Sequence, residues 1–316
     1  MPHKPFSAQN YPRDLRGYGQ HPPHPRWPQE ARIAVQLVVN YEEGGENCVL
    51  HGDEASEKFL SEIVGAAAYP GVRHPSMESI YEYGSRAGVW RLLRALEKRG
   101  VPCTMFAVGM AIERHPDPVL AYKEAGHEIA SHGYRWIDYQ FVDPAVENEH
   151  IHRAISVHQE ILGETPQGFY QGRTSPQSRE LCVNAGTFLY DADSYADDLP
   201  YWDTSFEKPH LVVPYTLDTN DMRFATQQGF NSGTQFYDYL KDAFDVLYAE
   251  GEHAPKMLSI GLHCRLAGRP ARIAALERFL DYIQRKENVW ICRRVDIAHH
   301  WVQNHYPDGG GGNDEA

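Results

Sequence analysis

Four side chains that can exchange protons stand at the ends of apolar stretches of this sequence. Glu42 and Glu43 follow the first long apolar run, and His132 and His263 stand at the ends of two later runs. Carboxylates and imidazoles are the side chains that most often serve as general bases and general acids. Neighbouring side chains on a strand point to opposite sides, so one of the two glutamates is expected to face inward. The convergence of several such strand ends indicates a catalytic site more strongly than any one residue does.

Each of these residues also has an ordinary structural interpretation, which the sequence leaves open. Adjacent glutamates are commonly solvated loop carboxylates, and a single buried histidine is more often a hydrogen-bonded core residue. Trp136 fits the core as well as a substrate-binding surface, and Arg173 fits an ion pair with an acidic neighbour. Asp191 and Asp193, at the end of another short run, fit turn formation equally well.

Apolar runs alternate with helical patterns along most of the chain, and this alternation predicts β/α units. Strands are expected at residues 32–40, 101–108, 127–131, 168–171, 188–191, 211–214, 257–263 and 289–292. Helices are expected at residues 86–99, 110–125, 144–163, 175–185, 234–250, 270–285 and 295–303. Units of this kind form a parallel sheet with the helices outside.

About seven or eight such units favour an α/β fold of the parallel β/α barrel type, distorted but TIM-like. An open doubly wound sheet is the alternative. In such barrels the functional side chains gather at the carboxyl ends of the strands. The sequence contains no G-x-G-x-x-G motif and no phosphate-binding glycine loop with lysine, so it indicates no nucleotide cofactor.

Composition limits the location and the partners of the protein. The chain has 316 residues and a formal net charge of −13, which disfavours nucleic acid and anionic membranes. Its five cysteines form no C-x-x-C pair and indicate neither a disulfide framework nor a thiolate zinc site. No stretch resembles a signal peptide or a bilayer span, so we expect a cytoplasmic protein. We expect an N-terminal arm at 1–30, one catalytic domain at 31–308 and a flexible tail at 309–316.

The strand ends resemble, in order, the motifs of the polysaccharide deacetylase (NodB-homology) family. That family's T-F-D-D-G motif, with a catalytic base and a metal ligand, corresponds to the stretch from Val39 to Gly44. Its H-[ST]-x-x-H metal motif corresponds to residues 132–136 and its arginine before a proline to Arg173. Its leucine–histidine pair, which carries the general acid, corresponds to Leu262-His263. The resemblance implies a deacetylase-type barrel over residues 30–300.

Two departures from these motifs predict that no metal is bound. Trp136 stands where the second metal-binding histidine belongs, and an indole has no lone pair to offer. Glu43 replaces the ligand aspartate and moves the carboxylate outward by one methylene. The altered motifs are similar to those of the cofactor-independent allantoinases of bacterial purine breakdown, which open the hydantoin ring of allantoin. The resemblance therefore implies hydrolysis of a cyclic amide without a cofactor.

The resemblance also implies a role for each candidate residue. Glu42 is expected to be the general base, with a pKa raised by partial burial, and Arg173 to hold its carboxylate. His263 is expected to protonate the leaving nitrogen. The residues expected to bind substrate are Glu43, His132, Trp136, Asp193 and Tyr81. Residues 44–85 form a long connection that is interpreted either as a lid or as an insertion for subunit contact.

Other functions remain open at this level. A metal-dependent N-deacetylase of amino-sugar polymers would bind zinc or a similar ion, and a cyclic imidase would prefer succinimide-type rings. A relative that binds a small ligand without catalysis is the third alternative. The resemblance and the long arm imply a homo-oligomer, with a tetramer as the candidate.

Overall fold

The structure, a computed structural model, describes residues 11, 13–63 and 65–307. The tail expected at 309–316 and the first ten residues of the expected arm lie outside this range. The strands of the described part are β1 (Ile33–Tyr41), β2 (Thr104–Ala107), β3 (Glu128–Ser131), β4 (Gly168–Phe169), β5 (Tyr190–Asp191), β6 (Tyr201–Asp203), β7 (His210–Val212), β8 (Lys256–His263) and β9 (Val289–Cys292). The α-helices are α1 (Pro75–Tyr83), α2 (Val89–Glu97), α3 (Gly109–Arg114), α4 (Asp117–Glu124), α5 (Pro144–Leu162), α6 (Ser178–Asn184), α7 (Gly233–Glu250), α8 (Pro270–Ile283) and α9 (Arg294–His305).

The strands form one curled sheet that runs in the order β6-β7-β5-β4-β3-β2-β1-β8, with β9 beside the first half of β1. All the pairings are parallel except β6 with β7. This confirms the expected distorted β/α barrel. Within the described residues, no strand pairing links β7 to β8, so the barrel is open along one side.

Arg294 spans this open side of the barrel from within. Its guanidinium donates to the carbonyl oxygens of Val213 and Pro214, which follow β7, and to the hydroxyl of Ser259 on β8. It also donates to the side chain of Gln36 on β1. The hydrogen bonds of one buried cation therefore replace a missing strand pairing.

The two faces of β1 belong to two different hydrophobic clusters. Ile33, Val35 and Leu37 pack in the layer between the sheet and the helices. Ala34 and Val38 pack on the inner face with aromatic side chains from other strands. Continuing this alternation places residue 42 on the inner side and residue 43 on the outer side, which is what allows two adjacent glutamates to have different environments.

Several expected element boundaries differ from the observed ones for physical reasons. The helix expected at 110–125 is two helices, because Pro116 cannot donate a backbone hydrogen bond. The connection 44–85 contains α1, which begins after His74 at Pro75 and continues through a π-helical turn at Gly84–Gly88 into α2. The short strand β6 was not expected. None of the described helices combines the length and the apolar character needed to cross a membrane.

We predict that Arg294→Met lowers the free energy of unfolding by about 3 kcal/mol, because it leaves two buried carbonyl groups without donors. Chemical denaturation would measure the change. Arg293→Met is the matched control, since Arg293 is partly exposed and pairs with Asp296 on the surface, where an ion pair contributes less than about 1 kcal/mol. Equal losses in the two variants would contradict a special role for Arg294.

Candidate active site

Glu42 lies at the centre of a closed cluster of charged side chains above the barrel interior. Its side chain is 1% exposed. Nη1 of Arg265 lies 2.6 Å from one carboxylate oxygen, and Nε2 of both His132 and His263 lies 3.4 Å from the other. Two strand ends, those of β3 and β8, therefore bring three basic side chains to one carboxylate.

His263 is oriented by a second buried carboxylate, that of Asp221. Asp221 Oδ1 lies 2.6 Å from His263 Nδ1, while its Oδ2 accepts the backbone N–H groups of His263 and Ala267 at 2.8 and 2.7 Å. This geometry directs Nε2 toward Glu42. Burial lowers the pKa of His263, but the charges of Glu42 and Asp221 outweigh it and raise that pKa to about 9. The imidazole therefore carries a proton at neutral pH and can act as an acid.

His132 is oriented by the backbone of the neighbouring strand end. Its Nδ1 donates to the carbonyl oxygen of Tyr170 at 2.9 Å, and its ring packs 6.1 Å from that of Phe106. Nε2 is buried and has no hydrogen-bond partner of ordinary length. This nitrogen donates only when the ring carries two protons, and otherwise it accepts.

Arg265 is a central residue of the site that the sequence analysis did not select. Its side chain is fully buried, and its guanidinium lies 4.1 Å from the centroid of the Tyr81 ring and 5.1 Å from that of Trp136. Nε donates to the carbonyl oxygen of Leu60 at 3.2 Å. Its position two residues after His263 was the available signal, but nothing in the sequence showed that it turns toward Glu42.

The prediction that partial burial raises the pKa of Glu42 is wrong. Burial alone would raise the pKa of Glu42, but Arg265 and His263 hold it well below the usual range. The neighbouring Glu43 behaves differently: burial raises its pKa to about 7, with Arg265 opposing and Glu42 adding to the shift. Glu43 lies on the outer side of the strand end, where a Cβ at Gly84 would collide with its carboxylate.

Arg173 does not hold the carboxylate of Glu42, which corrects that expectation. Its closest carboxylate is Glu57, at 3.8 Å, and its guanidinium lies 5.2 and 5.3 Å from the ring centroids of Trp136 and Phe59. A cation–π contact with these rings places Arg173 at the edge of the site. The role expected of Arg173 belongs to Arg265, because Arg265 lies on the strand end next to β1.

The carboxylate of Asp193 is engaged by the backbone of the loop after β4. Both of its carboxylate oxygens accept backbone N–H groups, from Gln171 and Gly172, each at 2.7 Å. Burial and the nearby charge of Asp191 raise its pKa to about 7. Asp193 therefore shapes the loop beside His132, since a Cβ at Gly172 would lie 3.2 Å from the His132 ring.

Residues 57–61 cover the site, and we call them the roof segment. Glu57 organises its start by accepting the N–H groups of Lys58 and Phe59, each at 2.9 Å. The Phe59 ring stacks on Trp136 at 5.8 Å, and Tyr81 donates to the Phe59 carbonyl oxygen. Through the Leu60 carbonyl oxygen, which accepts from Nε of Arg265, the segment also contacts the cation that binds Glu42.

The side chains around Glu42 do not form a metal-binding set. Within residues 11, 13–63 and 65–307, no group of three or more histidine, cysteine, aspartate or glutamate side chains is arranged to hold one. The guanidinium of Arg265 lies between Glu42 and Glu43, 2.6 and 3.6 Å from their oxygens, and supplies the positive charge there. The residues present do not fit a divalent cation.

We predict that Asp221→Asn lowers the pKa of His263 from its value of about 9, because burial then acts against fewer negative charges. Titration of the imidazole by NMR would measure it. Asp218→Asn is the control, since Asp218 lies three residues earlier in an exposed position. An unchanged His263 pKa in Asp221→Asn would contradict the assigned pairing.

Comparisons with known proteins show the family and the fold of this chain. Residues 72–183 match the polysaccharide deacetylase family model. A Schizosaccharomyces pombe protein assigned to the polysaccharide deacetylases is 45% identical over 93% of this chain and 98% of its own length. The structure of a Pseudomonas aeruginosa PAO1 protein with the same assignment is 64% identical, covers 93% of this chain and 99% of its own, and superposes with a TM-score of 0.92.

A further solved structure, that of PuuE allantoinase, is 62% identical to this chain. The match covers 94% of this chain and 99% of that one, with a TM-score of 0.92. Because similarity at these levels extends over nearly the whole length of both chains, the chain belongs to the polysaccharide deacetylase family.

Proposed function

We propose that this protein opens the hydantoin ring of allantoin by hydrolysing a cyclic amide C–N bond, with allantoate as the product. The observation that carries the proposal is the 62% identity to PuuE allantoinase over 94% of this chain. The cluster around Glu42 supports it, because an ionised carboxylate and a protonated imidazole 3.4 Å apart form a base and an acid for amide hydrolysis.

In the proposed reaction, water attacks the ring carbonyl carbon while Glu42 accepts the proton that the water loses. The C–N bond then breaks, and the ring nitrogen takes a proton from Nε2 of His263. Glu42 finally returns its proton to His263, whose Nε2 lies 3.4 Å from the carboxylate oxygen. All proton transfers therefore take place between the reactants and the pair Glu42 and His263. Asp221 keeps Nε2 of the imidazole directed toward Glu42 throughout.

The low pKa of Glu42 makes it a weak base, so orientation must contribute much of the catalysis. Arg265 and the two histidines hold the carboxylate at a single position, and the roof segment excludes bulk water around it. His132 is the candidate donor to the developing oxyanion, which requires a proton on Nε2. Trp136 and Tyr81 shape the pocket through their contacts with Arg265.

The divalent metal that the family resemblance implies has no place in this mechanism. Trp136 offers no lone pair, and the guanidinium of Arg265 already compensates the two glutamates. No step is therefore assigned to a metal. We also propose that the protein is a homo-oligomer, with a tetramer as the candidate, and that it is located in the cytoplasm. The presence of five free, buried cysteines supports a reducing compartment.

We predict that protein stripped of metal by exhaustive chelation, and checked by elemental analysis, hydrolyses allantoin at the same rate as untreated protein. Succinimide-type imides and acetylated amino-sugar oligomers serve as competing substrates. Activity that disappears with chelation and returns with zinc would contradict the metal-free mechanism. Hydrolysis of imides or sugars in preference to allantoin would contradict the proposed substrate.

We predict that Glu42→Gln lowers kcat for allantoin by about 10²- to 10⁴-fold, because the amide cannot accept the proton from water. Steady-state kinetics would measure the loss. Glu82→Gln is the control, because Glu82 is an exposed residue that pairs only with Arg86 in an ion pair of 3.8 Å. A Glu42→Gln enzyme that keeps most of its turnover would show that another group is the base.

A further inference from the structure

Two buried polar atoms next to Glu42 have no hydrogen-bond partner among the described residues. These are Nη2 of Arg265 and Nε2 of His132. A buried donor without a partner destabilises the folded protein, so such atoms are usually satisfied by a ligand or by water. Nη2 belongs to the same guanidinium whose Nη1 binds Glu42 at 2.6 Å. The unused donor therefore lies beside the carboxylate that activates water.

The surroundings of Arg265 include both positions at which this chain departs from the metal-binding motif. Trp136, where a histidine ligand belongs, presents its ring 5.1 Å from the guanidinium carbon. Glu43, where the ligand aspartate belongs, lies 3.6 Å from Nη1. An aromatic face stabilises a guanidinium but not a coordinated metal ion, since it has no lone pair. The two departures are thus linked to Arg265 by direct contacts.

We propose that the guanidinium of Arg265 takes the place of the metal: it orients Glu42 through Nη1 and donates through Nη2 to the substrate carbonyl oxygen as negative charge develops there. This inference rests on the proposed hydrolysis. A planar guanidinium presents parallel N–H groups, so it can bind a carboxylate and a second oxygen at once. A lysine would offer the charge without that geometry.

The charge balance of the cluster agrees with a single monovalent cation at this position. One guanidinium compensates one carboxylate, and Glu42 is the one held ionised. Glu43, whose pKa burial raises to about 7, can remain protonated at neutral pH. A divalent ion would ionise both carboxylates. One cation beside the two adjacent glutamates is therefore sufficient, because only Glu42 is in close contact with it.

Arginine cannot acidify a bound water as a divalent metal does, so the substitution restricts the enzyme to substrates that need less activation. A cyclic amide of the hydantoin type has a nitrogen that leaves more readily than that of a simple acetamide. The substitution of the metal by Arg265 thus connects the chemistry of the site with the class of substrate proposed for it.

The test compares Arg265→Ala with the unchanged enzyme in allantoin hydrolysis, with and without millimolar guanidinium chloride. We expect kcat to fall by about 10²- to 10³-fold, the loss typical of removing an oxyanion donor, and guanidinium to restore part of it. Sodium chloride at the same concentration should restore nothing. Arg99→Ala is the matched control, because Arg99 also binds two carboxylates, Glu277 and Asp281, far from Glu42.

The pH dependence separates this role from a purely structural one. Without the guanidinium, the pKa of Glu42 rises, so the acid limb of kcat/KM in Arg265→Ala moves to higher pH. The proposal would be overturned if Arg265→Ala lost activity while the acid limb of its kcat/KM profile stayed in place and guanidinium had no effect. If Arg265→Ala does not fold, Arg265→Lys replaces it: we expect the acid limb to stay in place while kcat falls, and a wild-type kcat would overturn the proposal.

A failure of the proposed function is distinguishable in the same experiment. Unchanged enzyme that does not hydrolyse allantoin would refute the substrate and leave the Arg265–Glu42 pairing testable by NMR. In that case ¹³C titration of the Glu42 carboxyl should show a higher pKa in Arg265→Ala than in the unchanged protein. Equal values would refute the pairing itself.

Discussion

The ion pair between Arg265 and Glu42 is the interaction on which the rest of the site depends. Its two atoms are 2.6 Å apart and both side chains are shielded from water. Neither charge could be buried alone without a penalty of several kcal/mol. The pair is held between the rings of Tyr81 and Trp136 below the roof segment, so the aromatic residues of the long connection and those of the barrel enclose the same two charges.

The cluster is organised by alternating charges rather than by a central ion. Asp221 holds His263, His263 faces Glu42, and Glu42 binds Arg265. Each carboxylate favours the protonated form of its basic neighbour, which is why the pKa of His263 rises although burial opposes it. The same arrangement keeps Glu42 ionised. The proposed base and the proposed acid are therefore in the protonation states that the proposed mechanism requires before substrate arrives.

The open side of the barrel imposes a second constraint on this arrangement. The chain between β7 and β8 is not held by strand pairing within the described residues, yet it carries Asp221, which must meet His263. Arg294 ties the start of that chain to β8, and the bridge between Asn220 and Gly261 fixes the residue just before Asp221. Buried polar contacts thus hold Asp221 in place, whereas in a closed barrel the hydrogen bonds between neighbouring strands would do so.

The sequence by itself determined the barrel class, the strand ends that form the site, and the inward position of one of the two adjacent glutamates. These follow from local rules: apolar periodicity, helix caps and the alternation of side chains along a strand. Only the tertiary structure decided that Arg265, rather than Arg173, binds Glu42, that Asp193 faces the backbone, and that α1 lies within residues 44–85. The reason is that the pKa of Glu42 and the partner of each charge depend on contacts between residues about 220 positions apart in the chain. No local pattern encodes such contacts.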